Sequence, residues 1–188
     1  MHRSIRVARL EDVETMREIE RAAGRLFSGI GMDDVAAHVP PDPVTLGEYI
    51  QHQRAWIVAV DDQPVGYALV DVVDGCGHLE QVSVHPAYGR RGLGRMLIQA
   101  VVDWAEARGL PAITLSTFCD VPWNGPYYAS LGFRPLADSE LTPGLLALRV
   151  HESELGLDRE SRHAMRLDLS AQDGVTLGQS PQRIRSRV

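Results

Sequence analysis

The chain has 188 residues, a formal net charge of -6, and a composition that is 44% hydrophobic and 23% charged. This composition is ordinary for a soluble globular protein, and the length suffices for one domain with a sizeable core. The acidic balance argues against a nucleic-acid partner, which would require a basic face, and weakly favours an amine-bearing partner. The sequence shows neither a basic start followed by an apolar run nor a segment long enough to span a membrane, so we expect a cytoplasmic protein without a membrane partner. The two cysteines have no metal-like spacing, and no metal site is expected.

The N-terminal part is predicted to fold as strand, helix, loop and helix. Alternating apolar residues predict a strand over residues 4–8, and helical spacing of apolar residues predicts a helix over 10–26. Residues 27–43 are rich in Gly, Asp and Pro, which indicates a loop with a helical turn at about 33–38. Thr45 is expected to cap a short helix that ends near residue 53.

Two apolar runs follow, over residues 54–60 and 65–73, separated by the acidic turn Asp-Asp-Gln-Pro. Together they predict a β-hairpin, and the turn at 74–77 leads into a third strand at Leu79. Three consecutive antiparallel strands followed by a strand–helix–strand unit imply a mixed sheet.

The stretch from Leu79 to Met96 combines a strand, a turn and the start of a helix. Its alternation predicts that Leu79, Gln81 and Ser83 face one way, and that the residues between them face the other way. His85-Pro86 stops the strand, and the turn Gly-Arg-Arg-Gly-Leu-Gly then leads into a helix. Such a turn at a helix N-terminus is an anion site, because backbone N–H groups and the helix dipole point at the ligand. The chain contains no lysine and lacks three suitably spaced glycines, which excludes a mononucleotide P-loop and a dinucleotide fingerprint.

The C-terminal half continues with alternating helices and strands. The helix after Gly94 should end before Gly109, and a right-handed crossover should place the strand at 112–118 parallel to the Leu79 strand. The remaining predicted elements are a short helix at 127–133, a strand near 134–136, a helix opened by Thr142-Pro143 and closed by Gly156, and a strand at 162–169. We expect one domain over residues 1–169 and a mobile tail over 170–188, where apolar periodicity is lost.

Two motifs in this order resemble the GNAT superfamily of acyl-CoA N-acyltransferases. The turn Gly89 to Gly94 resembles the signature Gln/Arg-x-x-Gly-x-Gly/Ala: Gly92 and Gly94 match, and Gly89 stands where the family usually has Gln or Arg. The segment from Tyr128 to Phe133 resembles the second signature, a short helix that ends in Tyr-x-x-x-Gly-Phe.

The resemblance implies an α/β (α+β) fold of GNAT type. Its central sheet is mixed, mostly antiparallel and flanked by helices, and its parallel strands 4 and 5 are splayed. It also implies acetyl-CoA as the acyl donor, no metal, and a possible homodimer. The residues expected to bind the cofactor are Val82 and Val84 through their main chains, then Gly89, Arg90, Arg91, Gly92, Leu93, Gly94, Arg95 and Asn124.

In this resemblance Tyr128 is the general acid that protonates the leaving thiolate. The backbone N–H near Val84 polarises the thioester carbonyl, as in an oxyanion hole. Glu80 shares strand parity with Val82 and Val84, so it is the first candidate for the base; His78, of the same parity, is the second. Water serves instead of a side chain in many relatives.

Three functions remain open at this stage. The first is N-acetylation of a primary amine of a small molecule or amino-acid-like acceptor. The second is an acyl-CoA-binding sensor without turnover, which the glycine at position 89 favours. The third is acetylation of a protein N-terminus; members that acetylate ribosomal proteins favour Leu-Glu-Val-Arg on the strand before the tyrosine, whereas this chain has Leu-Ser-Thr-Phe from Leu115 to Phe118.

Overall fold

The computed structural model describes residues 1–157 and 161–169, so the predicted tail at 170–188 lies outside the described residues. The strands of the described part form one sheet in the order β1-β2-β3-β4-β5-β7-β6. The strands are β1 Arg3–Val7, β2 Ala55–Val60, β3 Gln63–Val73, β4 Cys76–Val84, β5 Ala112–Phe118, β6 Arg134–Pro135 and β7 Arg162–Asp168. The helices are α1 Val13–Ser28, α2 Asp33–Ala36, α3 Pro43–Gln51, α4 Leu93–Glu106, α5 Gly125–Ser130 and α6 Pro143–Glu154.

A hydrophobic core lies on each face of the sheet. On one face, α4 buries Leu93, Leu97 and Val101 against the sheet. On the other face, α1 packs Met16 and Ile19 at helical spacing on the sheet together with α3. Burial of one apolar stripe per helix is therefore what places α1 and α4 on opposite faces.

The strands β1 to β4 pair antiparallel in this order, and the sequence predicts the succession of β2, β3 and β4. The β2–β3 turn is formed by Asp61 and Asp62, both with positive φ (48° and 65°), and the β3–β4 turn by Asp74 and Gly75 (48° and 77°). Two successive residues of positive φ match the twist of a two-residue hairpin. Strand β4 begins at Cys76, three residues before the predicted start at Leu79. The difference arises because the turn consists of Asp74 and Gly75 alone.

The predicted cap of α3 is wrong. Asp42, not Thr45, is the N-cap, since its carboxylate accepts from the N–H groups of Val44 and Thr45 at 2.8 and 3.1 Å. Pro43 then occupies the first helical position, where its missing N–H costs nothing. Thr45 is the third residue of the helix, and its hydroxyl donates to the same carboxylate at 3.0 Å.

The sheet is mixed and mostly antiparallel. The α4 crossover joins β4 to β5 as a parallel pair, and β7 then pairs antiparallel with β5 and β6. The predicted fold class is confirmed in this respect. Within the described residues, no helix is both long enough and apolar enough to cross a membrane.

Candidate active site

A gap separates β4 from β5 along most of their length. The parallel ladder consists only of the pairs Gly77–Ile113 and His78–Thr114, so the two strands part beyond these positions. The N–H of His85 donates to Val65 on the β3 side at 2.8 Å. Because successive residues of a strand alternate, the main-chain groups of Val82 and Val84 point away from β3, into the gap. No strand of the described part pairs with them, and they offer free groups to an extended amide ligand.

The turn before α4 presents a row of free donors. Among the described residues, none of the N–H groups from residue 90 to residue 95 donates a hydrogen bond, and the ladder of α4 starts with the N–H of Met96 on Gly92 O at 3.1 Å. Gly92 is the N-cap, with a φ of 75°. A Cβ on Gly94 would lie 3.0 Å from the hydroxyl of Tyr127. The two matching glycines therefore shape the turn and let α5 approach it, and the free donors fit a pyrophosphate.

The three arginines of this turn differ in what they contact. Arg91 folds back on the protein: its guanidinium lies 5.5 Å from the centre of the Tyr88 ring and donates to Ala87 O at 3.3 Å. Arg90 adopts a left-handed backbone with a φ of 58°. The side chains of Arg90 and Arg95 are exposed, which leaves them available to a phosphate.

Tyr128 lies on α5, which starts after the turn that follows β5. Its N–H donates to Asn124 O at 2.9 Å. Its ring packs edge-on against Phe133, with centroids 5.7 Å apart, and tilted against Tyr127 at 5.6 Å. Burial raises the pKa of the Tyr128 hydroxyl, which therefore carries its proton at neutral pH. Among the described residues this hydroxyl has no hydrogen-bond partner, so it is free to donate to a substrate.

The predicted facing of the β4 side chains holds from Gln81 to Val84 and is wrong for Leu79 and Glu80, because β4 contains a bulge. Val70 pairs with Leu79 and Leu69 pairs with Gln81, which leaves Glu80 as the extra residue. Leu79, Val82 and Val84 consequently lie on the face of the sheet that packs against α4. Glu80 is the extra residue of the bulge, so the alternation of the strand does not place it on that face. Bulges re-aim side chains beside functional sites, and this one brings a Glu80 carboxylate oxygen to 3.9 Å from Nε2 of His78.

The environment of Glu80 is acidic. Its side chain is 45% exposed, yet crowding by protein atoms raises the pKa of the carboxyl group, and the negative charges of Asp71 and Glu152 raise it further. Arg162 opposes this effect. Such a carboxylate takes up a proton more readily than an ordinary glutamate does, which suits a general base.

The family model named Acetyltransferase (GNAT) family matches residues 15–133, more than half of the chain. The chain belongs to this family. A curated relative, the [ribosomal protein bS18]-alanine N-acetyltransferase of Salmonella typhimurium, is 34% identical over 76 residues, which are 40% of this chain and 51% of the relative. The chain thus spans about half the length of this relative.

Solved structures of GNAT proteins share the fold. The ribosomal-protein-S18-alanine N-acetyltransferase from Escherichia coli has a TM-score of 0.63 at 20% identity, covering 95% of this chain and 100% of that one. PaiA N-acetyltransferase from Thermoplasma acidophilum, solved in complex with coenzyme A, has a TM-score of 0.67 at 15% identity, covering 90% and 100%. At these identities the likeness concerns the fold alone.

Beside the GNAT signatures, the fold assembles polar residues that the sequence analysis missed. Asp71 on β3 accepts from Tyr49 at 2.6 Å and from Arg54 at 2.8 Å. Glu152 on α6 accepts from Ser116 on β5 at 2.8 Å and from Arg162 on β7 at 2.8 Å. The contact between Ser116 and Glu152 joins residues 36 positions apart, and no motif marks either carboxylate.

Proposed function

We propose that the chain is an acetyl-CoA-dependent N-acetyltransferase that acts on a primary amine of a small molecule or amino-acid-like acceptor. The observation that carries the proposal is a set of three features whose polar groups have no partner among the described residues. These are the free N–H groups at residues 90–95, the unpaired main-chain groups of Val82 and Val84, and the partner-free hydroxyl of Tyr128. They correspond to the pyrophosphate, the pantetheine amides and the thiol of one extended ligand.

Each step of the transfer has a residue to perform it. The N–H groups of the turn bind the pyrophosphate, and the main chain of Val82 and Val84 binds the pantetheine arm. The N–H of Val84 stabilises the negative charge that develops on the thioester oxygen. The amine nitrogen attacks the carbonyl carbon, the carbon–sulfur bond breaks, and Tyr128 gives its proton to the departing thiolate. Glu80 accepts the proton that the amine loses.

Replacement of Tyr128 by Phe tests this assignment. The variant should lower kcat by about 100-fold, the low end of what a general acid supplies, while the Kd of acetyl-CoA stays near that of the wild type. Tyr127→Phe removes the same group from the adjacent packing ring and should keep most of the activity. Release of free CoA thiol, with the acetylated product identified by mass spectrometry, measures the rates.

The choice of acceptors separates the alternatives. Identity to an enzyme named for a ribosomal-protein alanine favours a peptide N-terminus as the second candidate, so the panel includes a peptide that begins with alanine beside small amines and amino acids. Acetylation of the peptide alone would replace the small-molecule acceptor. Binding of acetyl-CoA with no acetylated product, unchanged by Tyr128→Phe, would instead show a sensor.

A further inference from the structure

His78 lies where β4 and β5 part, and none of the proposed steps of acetyl transfer uses its side chain. The residue is 3% exposed and belongs to the last pair of the parallel ladder. Its Nδ1 lies 2.9 Å from Thr114 Oγ1. Among the described residues, its Nε2 has no hydrogen-bond partner, and the nearest acidic atom is Glu80 Oε2 at 3.9 Å.

A chain of hydrogen bonds assigns the tautomer of this ring. The hydroxyl of Thr114 is directed at Gly77 O, 3.4 Å away, and only the hydroxyl proton can make that contact. Thr114 Oγ1 therefore accepts from Nδ1–H of His78, and Nε2 carries a lone pair. Burial lowers the pKa of His78 to about 4, so the ring is neutral at pH 7. The charges that act on it come from every adjacent element: Glu80 on β4, Asp71 on β3, Glu152 on α6 and Arg162 on β7.

Among the described residues, no donor lies between these two acceptors. A nitrogen placed about 2.9 Å from both atoms, the usual N–H···O length, spans the 3.9 Å separation at an angle of about 85°. This is about 25° below the tetrahedral angle, so each N–H of an ammonium group would point about 12° off its acceptor, within the range of a good hydrogen bond. An ammonium group carries enough hydrogens to donate to both acceptors at once. A hydroxyl has only one hydrogen and cannot donate to both.

We propose that Nε2 of His78 and the carboxylate of Glu80 together bind the ammonium group of the acceptor, with Thr114 as the positioning residue of His78. This inference rests on the proposed function and names the amine-binding atoms. One ammonium hydrogen is donated to Nε2 and one to the carboxylate. Glu80 takes one proton from the ammonium group, which leaves a neutral amine with an electron pair for the attack, while a second N–H stays bonded to Nε2. After the attack the nitrogen loses one further proton to solvent, and this balances the proton that Tyr128 gives to the thiolate and regains from solvent.

Kinetics of four variants test the arrangement. His78→Gln and Thr114→Val should each lower kcat/KM for the amine by tenfold or more at pH 7, while the Kd of acetyl-CoA is unchanged. Thr114→Ser keeps the hydroxyl and should restore most of the loss. His2→Gln, an exposed histidine at the far edge of the sheet, should match the wild type. Wild-type kcat/KM in His78→Gln, or a Thr114→Ser variant as slow as Thr114→Val, would overturn the inference.

A second measurement does not depend on turnover. Long-range ¹H–¹⁵N spectra of the full chain should show His78 with a protonated Nδ1 and a bare Nε2 at pH 7. Methylammonium chloride should shift the Nε2 signal in the wild type and not in Glu80→Gln. If this shift occurs but no amine is acetylated, the proposed function fails and the ammonium site stands. If amines are acetylated but Nε2 carries the proton or does not respond to methylammonium, the site is wrong and the function stands.

Discussion

Gly92 shows how one residue combines folding and binding. Its φ of 75° lies in the left-handed region, which costs other residues about 1–2 kcal/mol. That conformation closes the turn that leads into α4, and the N–H groups of residues 90–95 donate no hydrogen bond among the described residues. A side chain at position 92 would meet no atom within 4 Å, so the requirement for glycine is one of backbone conformation and not of space.

Gly92→Ala should therefore weaken acetyl-CoA binding through the turn. Gly109, at the other end of α4, has a φ of 66° and equally open surroundings, which makes Gly109→Ala a matched control. Both variants should lose about 1 kcal/mol of unfolding free energy. Only Gly92→Ala should raise the Kd of acetyl-CoA severalfold, as measured by calorimetric titration. Equal Kd values in the two variants would remove the turn from the binding site.

At the scale of elements, α6 is attached to the sheet near both of its ends. Near its start, the N–H of Gly144 donates to Asp74 in the β3–β4 turn at 2.7 Å. Near its end, Glu152 binds Ser116 and Arg162, and the guanidinium of Arg162 lies 4.7 Å from the centre of the Phe118 ring. Besides crowding by protein atoms, the negative charge of Glu152 on this helix raises the pKa of Glu80, so the end of α6 lies near the carboxylate at which the acceptor amine is proposed to bind.

Glu152→Gln should loosen this attachment and change the chemistry. The pair with Arg162 is largely buried, with side chains 19% and 13% exposed, so its loss should cost about 2 kcal/mol of unfolding free energy, less than for a fully buried pair. Removal of one negative charge should also lower the pKa of Glu80 and move the acidic limb of the rate profile to lower pH.

Hydrogen exchange over residues 143–154 and a pH–rate profile measure the two effects. Glu154→Gln is the control, because Glu154 forms an exposed pair with His151 on the same helix. This variant should keep the hydrogen exchange of α6 and the pH–rate profile close to those of the wild type. An unchanged acidic limb in Glu152→Gln would show that Glu80 is not the group that titrates.

Across the whole molecule, the sequence predicted what local patterns determine. The hairpin turns, the amphipathic helices and the succession of β2, β3 and β4 follow from residues close in sequence, as at Asp74-Gly75 and along α4. The bulge at Glu80 could not be predicted, because strict alternation and a one-residue insertion look alike until β3 is paired with β4. The contact of His78 with Thr114 depends on the register of two strands that are distant in sequence, and that of Glu152 with Ser116 depends on how α6 packs on the sheet.

The free energy of unfolding should fall at acidic pH in part because of His78. The unfolded chain binds a proton at this residue below its ordinary pKa of about 6.5, whereas the folded protein binds it only near pH 4. The contribution of neutral His78 to the free energy of unfolding is complete above pH 6.5. It is lost as the pH falls toward 4, because the unfolded state then binds more protons than the folded state. The shift corresponds to about 3 kcal/mol in total.

Urea unfolding at pH 7.5 and at pH 4.5 measures how much unfolding free energy each protein loses between the two pH values. An effect of a substitution that is the same at both pH values cancels in this difference. The wild type should lose about 2–3 kcal/mol more than His78→Gln over this interval. His52→Gln, at an exposed position after α3, should lose as much as the wild type. An equal loss in the wild type and His78→Gln would mean that His78 titrates normally in the folded protein. Its ring would then be charged at moderately acidic pH, and Nε2 could no longer accept a hydrogen bond from an ammonium group there.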